Sequence, residues 1–130
     1  MVTYLPIFIA AVVSFVIGML WYSPALFGKR WMNLAGVKRD KEKKMGGIMV
    51  AAFVANLVMA YVYLYIMGMV GYADAGSGVV LGFLLWVGFF ATTLLGGVFW
   101  EGKPFNLYLI NAGYQLVNLV VMGAVLGAML

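Results

Sequence analysis

The chain contains no cysteine and no histidine. Their absence removes disulfides, thiolate chemistry, imidazole metal sites and imidazole acid–base catalysis in one step. Acidic residues are scarce, with four Asp and Glu in 130 residues, and all charged residues together make up 9%. A soluble domain carries roughly 25%. No nucleophile–base pair stands out, and the Gly-rich runs lack the lysine and the strand–helix context of a phosphate loop.

What fills the chain instead is hydrocarbon. Hydrophobic residues are 66% of the sequence and the mean hydropathy is +1.07. A single soluble core of this length could not hide that much apolar surface, but a bilayer can. The expected fold is all-α: a four-transmembrane-helix bundle forming one integral membrane domain over residues 1–130. A span needs roughly 20 apolar residues, which places spans at about 3–22, 45–69, 78–100 and 105–130. The breaks are KRDKEKK at 38–44, GYADAGSG at 71–78 and EGKP at 101–104. None of the four runs has a charged face, which argues against a soluble bundle. Met1–Leu20 carries no Lys or Arg and no A-x-A site follows it, so the first run reads as a retained span rather than a signal peptide.

Seven of the eight basic residues fall between positions 29 and 44, and the eighth is Lys103. In a four-span topology all eight lie on one side. The positive-inside rule then places both basic connections in the cytoplasm and both termini outside the cell membrane. The 38–44 run reads as a solvated topogenic tether rather than a nucleic-acid or acidic-lipid patch.

Trp21–Asn33 closes the first hydrophobic run. Pro24 suits the first turn of a helix, Ser23 before it suits an N-cap, and Gly36 suits a terminator. Phe27, Trp31 and Leu34 recur at i, i+4, i+7 and make a short apolar stripe. The spacing predicts an interfacial helix over about 24–35 rather than a plain loop, with Trp21, Tyr22, Phe27, Trp31 and Trp100 as interfacial anchors.

The motifs W-Y-S-P-x-x-F-G-x-x-W at 21–31, F-W-E-G-K-P at 99–104 and L-I-N-A-G-Y-Q-L at 109–116 resemble domain-of-unknown-function family 1761 (DUF1761), small prokaryotic integral membrane proteins. The resemblance covers nearly the whole chain. It implies a four-helix membrane domain and no activity, cofactor or site residue.

Few polar side chains interrupt the spans: Ser14, Asn56, Thr92, Thr93, Asn111, Tyr114, Gln115 and Asn118. At 1.5 Å per residue, Ser14 lies ~10 Å, Thr92 ~12 Å and Asn56 ~16 Å from the cytoplasmic ends of their spans. Asn111, Gln115 and Asn118 lie at ~9, ~15 and ~20 Å and share one helical face. Amides facing lipid would be unsatisfied, so this layer is expected to face other helices, either as hydrogen-bond glue or as the wall of a polar cavity. No ionisable group lies inside a span, against a proton-driven exporter. Glu101 and Lys103, with Lys29 and Arg30, sit at the cytoplasmic mouth, and Glu101 is expected to pair with a nearby base.

Small residues recur every four positions at Gly88, Thr92 and Gly96, at Gly78 and Gly82, and at Gly123 and Gly127. Such rows serve internal packing or a subunit interface. The ten methionines lack a paired spacing and read as apolar filler. No metal or cofactor is expected. The first reading is a non-enzymatic membrane protein, a homo-oligomer or a small subunit of an assembly. The alternative is a passage or binding site for a small solute, ion or lipid around the polar layer. The bilayer is the expected partner, with a lipid or small hydrophobic ligand open to either reading, and no nucleic acid.

Overall fold

A computed structural model describes residues 4–23, 26–35 and 45–130. Among the described residues the chain is helical and has no strand. We number the helices α1 (Leu5–Trp21), α2 (Gly28–Ala35), α3 (Met45–Val70), α4 (Ala75–Phe99) and α5 (Phe105–Ala128). α3, α4 and α5 are long and apolar enough to cross a membrane. At 1.5 Å per residue each reaches ~36 Å, against a hydrocarbon core of about 30 Å. α1 is apolar but shorter, at 17 residues. Three to four helices therefore suit a bilayer, as in a multi-pass membrane protein. Outward-facing Phe8, Val58, Val62, Phe83 and Phe89 remain exposed, a surface that lipid covers at no cost and water does not.

Helix ends follow local chemistry. Pro6 occupies the first turn of α1, where its missing N–H costs nothing. α4 begins three residues before the expected Gly78. Asp74 is its N-cap, with Oδ1 accepting the Ser77 amide N–H at 2.6 Å. That bond holds the Asp74 carboxyl below the usual carboxylate range. Only the first half of GYADAGSG is therefore a turn; Gly76 and Gly78 are helical.

The interfacial segment also differs from expectation. α2 starts at Gly28, not at Pro24. Ser23 does not cap it; its hydroxyl donates back to the Leu20 carbonyl at 2.7 Å. The Ser23 carbonyl in turn accepts the Leu26 and Gly28 amides, at 3.0 and 2.9 Å. The turn is so tight that a Cβ at Gly28 would overlap the Tyr22 carbonyl and lie 2.7 Å from the Ser23 carbonyl carbon. Pro24 and Gly36 lie outside the described residues. Two residues of the apolar stripe pack inward: Phe27 lies tilted against Trp21 with ring centroids 4.8 Å apart, and Trp31 meets Tyr22 edge-on at 5.5 Å.

α1 lies between α3 and α5, and α4 packs most closely on α5. The α1–α3 seam is aromatic, with Phe53 edge-on to both Phe8 and Phe15 at 5.9 and 6.0 Å. The α4–α5 seam is glycine. A Cβ on Gly78 would overlap the Gly123 carbonyl, one on Gly123 the Gly78 carbonyl, and one on Gly127 the Asp74 carbonyl. Backbone here touches backbone, which small-residue rows make possible. Tyr63 of α3 reaches this seam. Its hydroxyl donates to the Gly78 carbonyl at 2.5 Å, with the Leu119 carbonyl 3.2 Å away. Ile7, Ala10, Ala60, Met67, Met122 and Leu126 complete the core around it.

The row Gly88, Thr92, Gly96 does not join this packing. Nothing lies within 4 Å of a Cβ built at Gly88, and Thr92 is exposed, its hydroxyl donating to the Gly88 carbonyl of its own helix at 2.8 Å. Between them α4 opens into one π-turn over Trp86–Phe90, in which the Ala91 N–H bonds to the Trp86 carbonyl. The extra residue in that turn shifts the helical face between its two halves.

Candidate functional site

Lys29, Arg30 and Lys103 gather at one end of the helices, here called the basic end. α1 reaches it at Trp21 and Tyr22, whose side chains bond to α5 near its start. The Trp21 indole N–H donates to the Ile110 carbonyl at 3.0 Å, and the Tyr22 hydroxyl donates to Asn111 Oδ1 at 2.7 Å. These bonds fix α1 and α5 antiparallel. Tyr22 also meets Tyr114 edge-on at 5.4 Å. The aromatic anchors expected at an interface thus become the joints between helices. Trp100 alone stays 90% exposed.

Two cavities flank the first half of α5 on different faces. The first, of about 240 Å³, lies between α4 and α5 and is lined by Thr93, Leu94, Gly97, Val98, Glu101, Lys103, Leu107, Tyr108 and Asn111. It could hold about eight waters at ~30 Å³ each. Gly102, with φ +66°, takes the left-handed conformation between Glu101 and Lys103. The two side chains then meet at 2.9 Å, both more than half exposed. Tyr108 does not offer its proton to the cavity, because its hydroxyl donates to the Ala91 carbonyl at 2.9 Å. Asn111 accepts from Tyr22 through Oδ1, which leaves its amide N–H donors for the cavity it lines. The second cavity, of about 330 Å³, is walled by Trp21 and Phe27 and carries Arg30 and Asn106.

The expected polar layer divides in two. Asn111, Thr93, Glu101 and Lys103 come together around the first cavity. Ser14, Gln115 and Asn118 do not reach it. Ser14 and Asn118 are each 1% exposed. Gly18 faces Tyr114, so one helical turn further in, antiparallel register sets Ser14 level with Asn118. Among the described residues Ser14 Oγ, Gln115 Oε1 and Asn118 Oδ1 have no hydrogen-bond partner, and the Asn118 amide N–H donates to Met59 Sδ at 3.7 Å. The anticipated mutual service among the amides, Ser14 and the threonines is therefore absent from the described bonds. Thr92 faces outward, Asn56 is half-buried, and Lys29 is exposed.

Sequence reasoning missed Tyr63 and Trp86. Trp86 donates its indole N–H to the Ala112 carbonyl at 2.7 Å, binding α4 to α5. Tyr61, Tyr63 and Tyr65 alternate along α3, and only Tyr63 is buried. The available signal was its i, i+3, i+7 row with Ala60 and Met67, all three fully inward.

The first cavity brings together one carboxylate, one ammonium, a threonine hydroxyl, an amide and apolar walls. Among the described residues no group of three Asp or Glu could hold a metal ion. The family model described as "Protein of unknown function (DUF1761)" matches residues 5–127. The chain belongs to the DUF1761 family. Comparison with curated proteins and with solved structures finds no match. In this DUF1761 protein the three resemblance motifs meet at the basic end. W-Y-S-P supplies Trp21 and Tyr22, W-E-G-K-P supplies the ion pair, and L-I-N-A-G-Y-Q-L supplies the carbonyl and amide they bond.

Proposed function

We propose that the protein is a non-enzymatic, four-span protein of the cell membrane that binds a small polar or zwitterionic solute in the cavity between α4 and α5. The observation that carries this reading is the pairing of Glu101 with Lys103 at a cavity that exposed Thr93 and half-buried Asn111 also line. An exposed ion pair is worth only about 0–1 kcal/mol. A ligand bearing both charges can displace it cheaply and regain the same interactions. The volume, below the ~300 Å³ of typical ligand pockets, fits a small solute. The orientation, with the basic end cytoplasmic and both termini outside, is supported by the position of Lys29, Arg30 and Lys103 at one end and of Asp74 at the other.

Association into a homo-oligomer or a larger assembly has separate support. Gly88 and Thr92 are exposed on α4 and Gly96, one turn on, is half-buried, a row of small residues on which a second helix could pack closely.

Thermal unfolding of the purified protein with a panel of glycine betaine, phosphocholine and amino acids tests the binding reading. A ligand that binds only the folded state raises Tm. One class of zwitterion should raise it in the wild type, and Thr93→Val and Glu101→Gln should reduce that rise. A panel that leaves the wild type unmoved, or variants that respond as the wild type does, would defeat it.

A further inference from the structure

We infer that the second cavity is a binding site for an anionic phospholipid of the leaflet at the basic end. It uses the face of α5 formed by Asn106, Leu109, Ile110 and Gly113, whereas the solute cavity uses Leu107, Tyr108 and Asn111. Its two halves differ in chemistry. The deeper half is apolar. The Trp21 ring forms one wall with its N–H already held by the Ile110 carbonyl, and Phe27, tilted against it, lines the cavity beside it. Gly113 keeps the floor open; a Cβ there would lie 3.3 Å from the Trp21 ring. Leu109 beside it is 52% exposed, so this half opens sideways to the apolar surface of the protein.

The outer half is cationic. Arg30 and Asn106 stand exposed at the rim. Among the described residues no carboxylate lies within ion-pair distance of Arg30, since the one ion pair there joins Glu101 to Lys103. The guanidinium offers a planar fork of donors that matches a phosphate. α2 places it at the level where α1 ends and α5 begins, which is where headgroups lie in a four-span topology. The net charge of +4, concentrated in the segment that carries α2, adds attraction for an acidic lipid. A volume of about 330 Å³ holds a phosphoglycerol headgroup while the acyl chains run along Leu109 into the bilayer. The occupant is thus set by charge at one end and by an open apolar flank at the other.

The test uses the full-length protein reconstituted in mixed phosphatidylcholine and phosphatidylglycerol vesicles, released into mild detergent, and weighed by native mass spectrometry. The wild type should retain phosphatidylglycerol in excess over its share of the vesicle. Arg30→Gln should lower that excess at least about tenfold, the loss expected for a hydrogen bond to a charged group. Asn106→Asp, which sets a negative charge at the rim without touching the packing, should lower it as well. Lys29→Gln, outside the cavity, should leave it nearly unchanged. Equal retention of both lipids by the wild type would overturn the proposal. So would equal losses in Arg30→Gln and Lys29→Gln, which would mark a diffuse surface attraction. Melting temperatures measured alongside identify any variant that lowers retention by unfolding. For such a variant the Asn106→Asp result decides.

Discussion

Gly123→Ala probes the seam between α4 and α5. The added Cβ would overlap the Gly78 carbonyl and the Tyr63 hydroxyl. Neither can yield easily, because one is helix backbone and the other is held between two carbonyls. The helices must separate, at an overpacking cost of about 1–3 kcal/mol. Displacing Tyr63 forfeits a further ~0.6–1.7 kcal/mol, the range measured for hydrogen bonds between membrane helices. The better helix propensity of alanine returns about 0.5–1 kcal/mol. The net is a loss of about 1–4 kcal/mol. Tyr63→Phe isolates the middle contribution and should cost ~0.6–1.7 kcal/mol. Gly88→Ala makes the same chemical change on the outward face of α4, where nothing in the same chain lies within 4 Å, and should be neutral or slightly stabilising for the dissociated protomer. Reversible unfolding in mixed micelles, followed by circular dichroism, reads all three. If Gly123→Ala and Gly88→Ala have the same effect, the close backbone seam is not what holds α4 to α5.

Gly28→Ala should release α2 from the end of α1, because its Cβ meets the Tyr22 and Ser23 backbone; faster proteolysis near Arg30 would report it, and unchanged cleavage would count against the tight turn. Asn118→Leu removes a fully buried amide whose Oδ1 has no partner, so stability should hold or rise by about 1 kcal/mol; a large loss would mean that a bound water or ion satisfies it. The Asp74 cap should depend on pH. Its carboxyl is lowered in the folded state by the Ser77 bond, so its contribution is complete above the unfolded value of about 3.9 and fades as pH falls through the folded one; Asp74→Asn should flatten the acid limb of the unfolding curve, and an unaltered limb would contradict the cap.

The helices were legible because runs of apolar residues near the length of a bilayer leave few alternatives. Their ends were less so. Asp74 lay inside a Gly-rich string that resembles a turn, and Gly78 serves contact with Gly123 rather than chain reversal. Pro24 drew attention as a helix start, while the steric need at Gly28 exists only once the chain has folded back on Tyr22. That Asn111, Gln115 and Asn118 share one face of α5 followed from helical spacing. Their partners did not, because Asn111 is met by the Tyr22 hydroxyl and the helices are joined by the Trp21 and Trp86 indoles and by Tyr63. Those bonds depend on which aromatic rotamer reaches across a seam, and periodicity does not encode that. The glycine rows at 78, 82, 123 and 127 read equally as packing or interface until the partner helix was in place.

Thiol labelling tests the central claim most directly, because the chain has no cysteine of its own. Thr92→Cys and Thr93→Cys place thiols at neighbouring depths on α4; both positions are exposed, but Thr93 lines the cavity with Glu101 and Lys103 and Thr92 does not. A charged, membrane-impermeant methanethiosulfonate reagent, applied separately to each side of sealed vesicles, should modify Thr93→Cys from the cytoplasmic side only. Thr92→Cys should stay unmodified in lipid. Equal reaction at both positions, reaction of Thr93→Cys from the opposite side, or no reaction at all would contradict a hydrated binding cavity open to the cytoplasm.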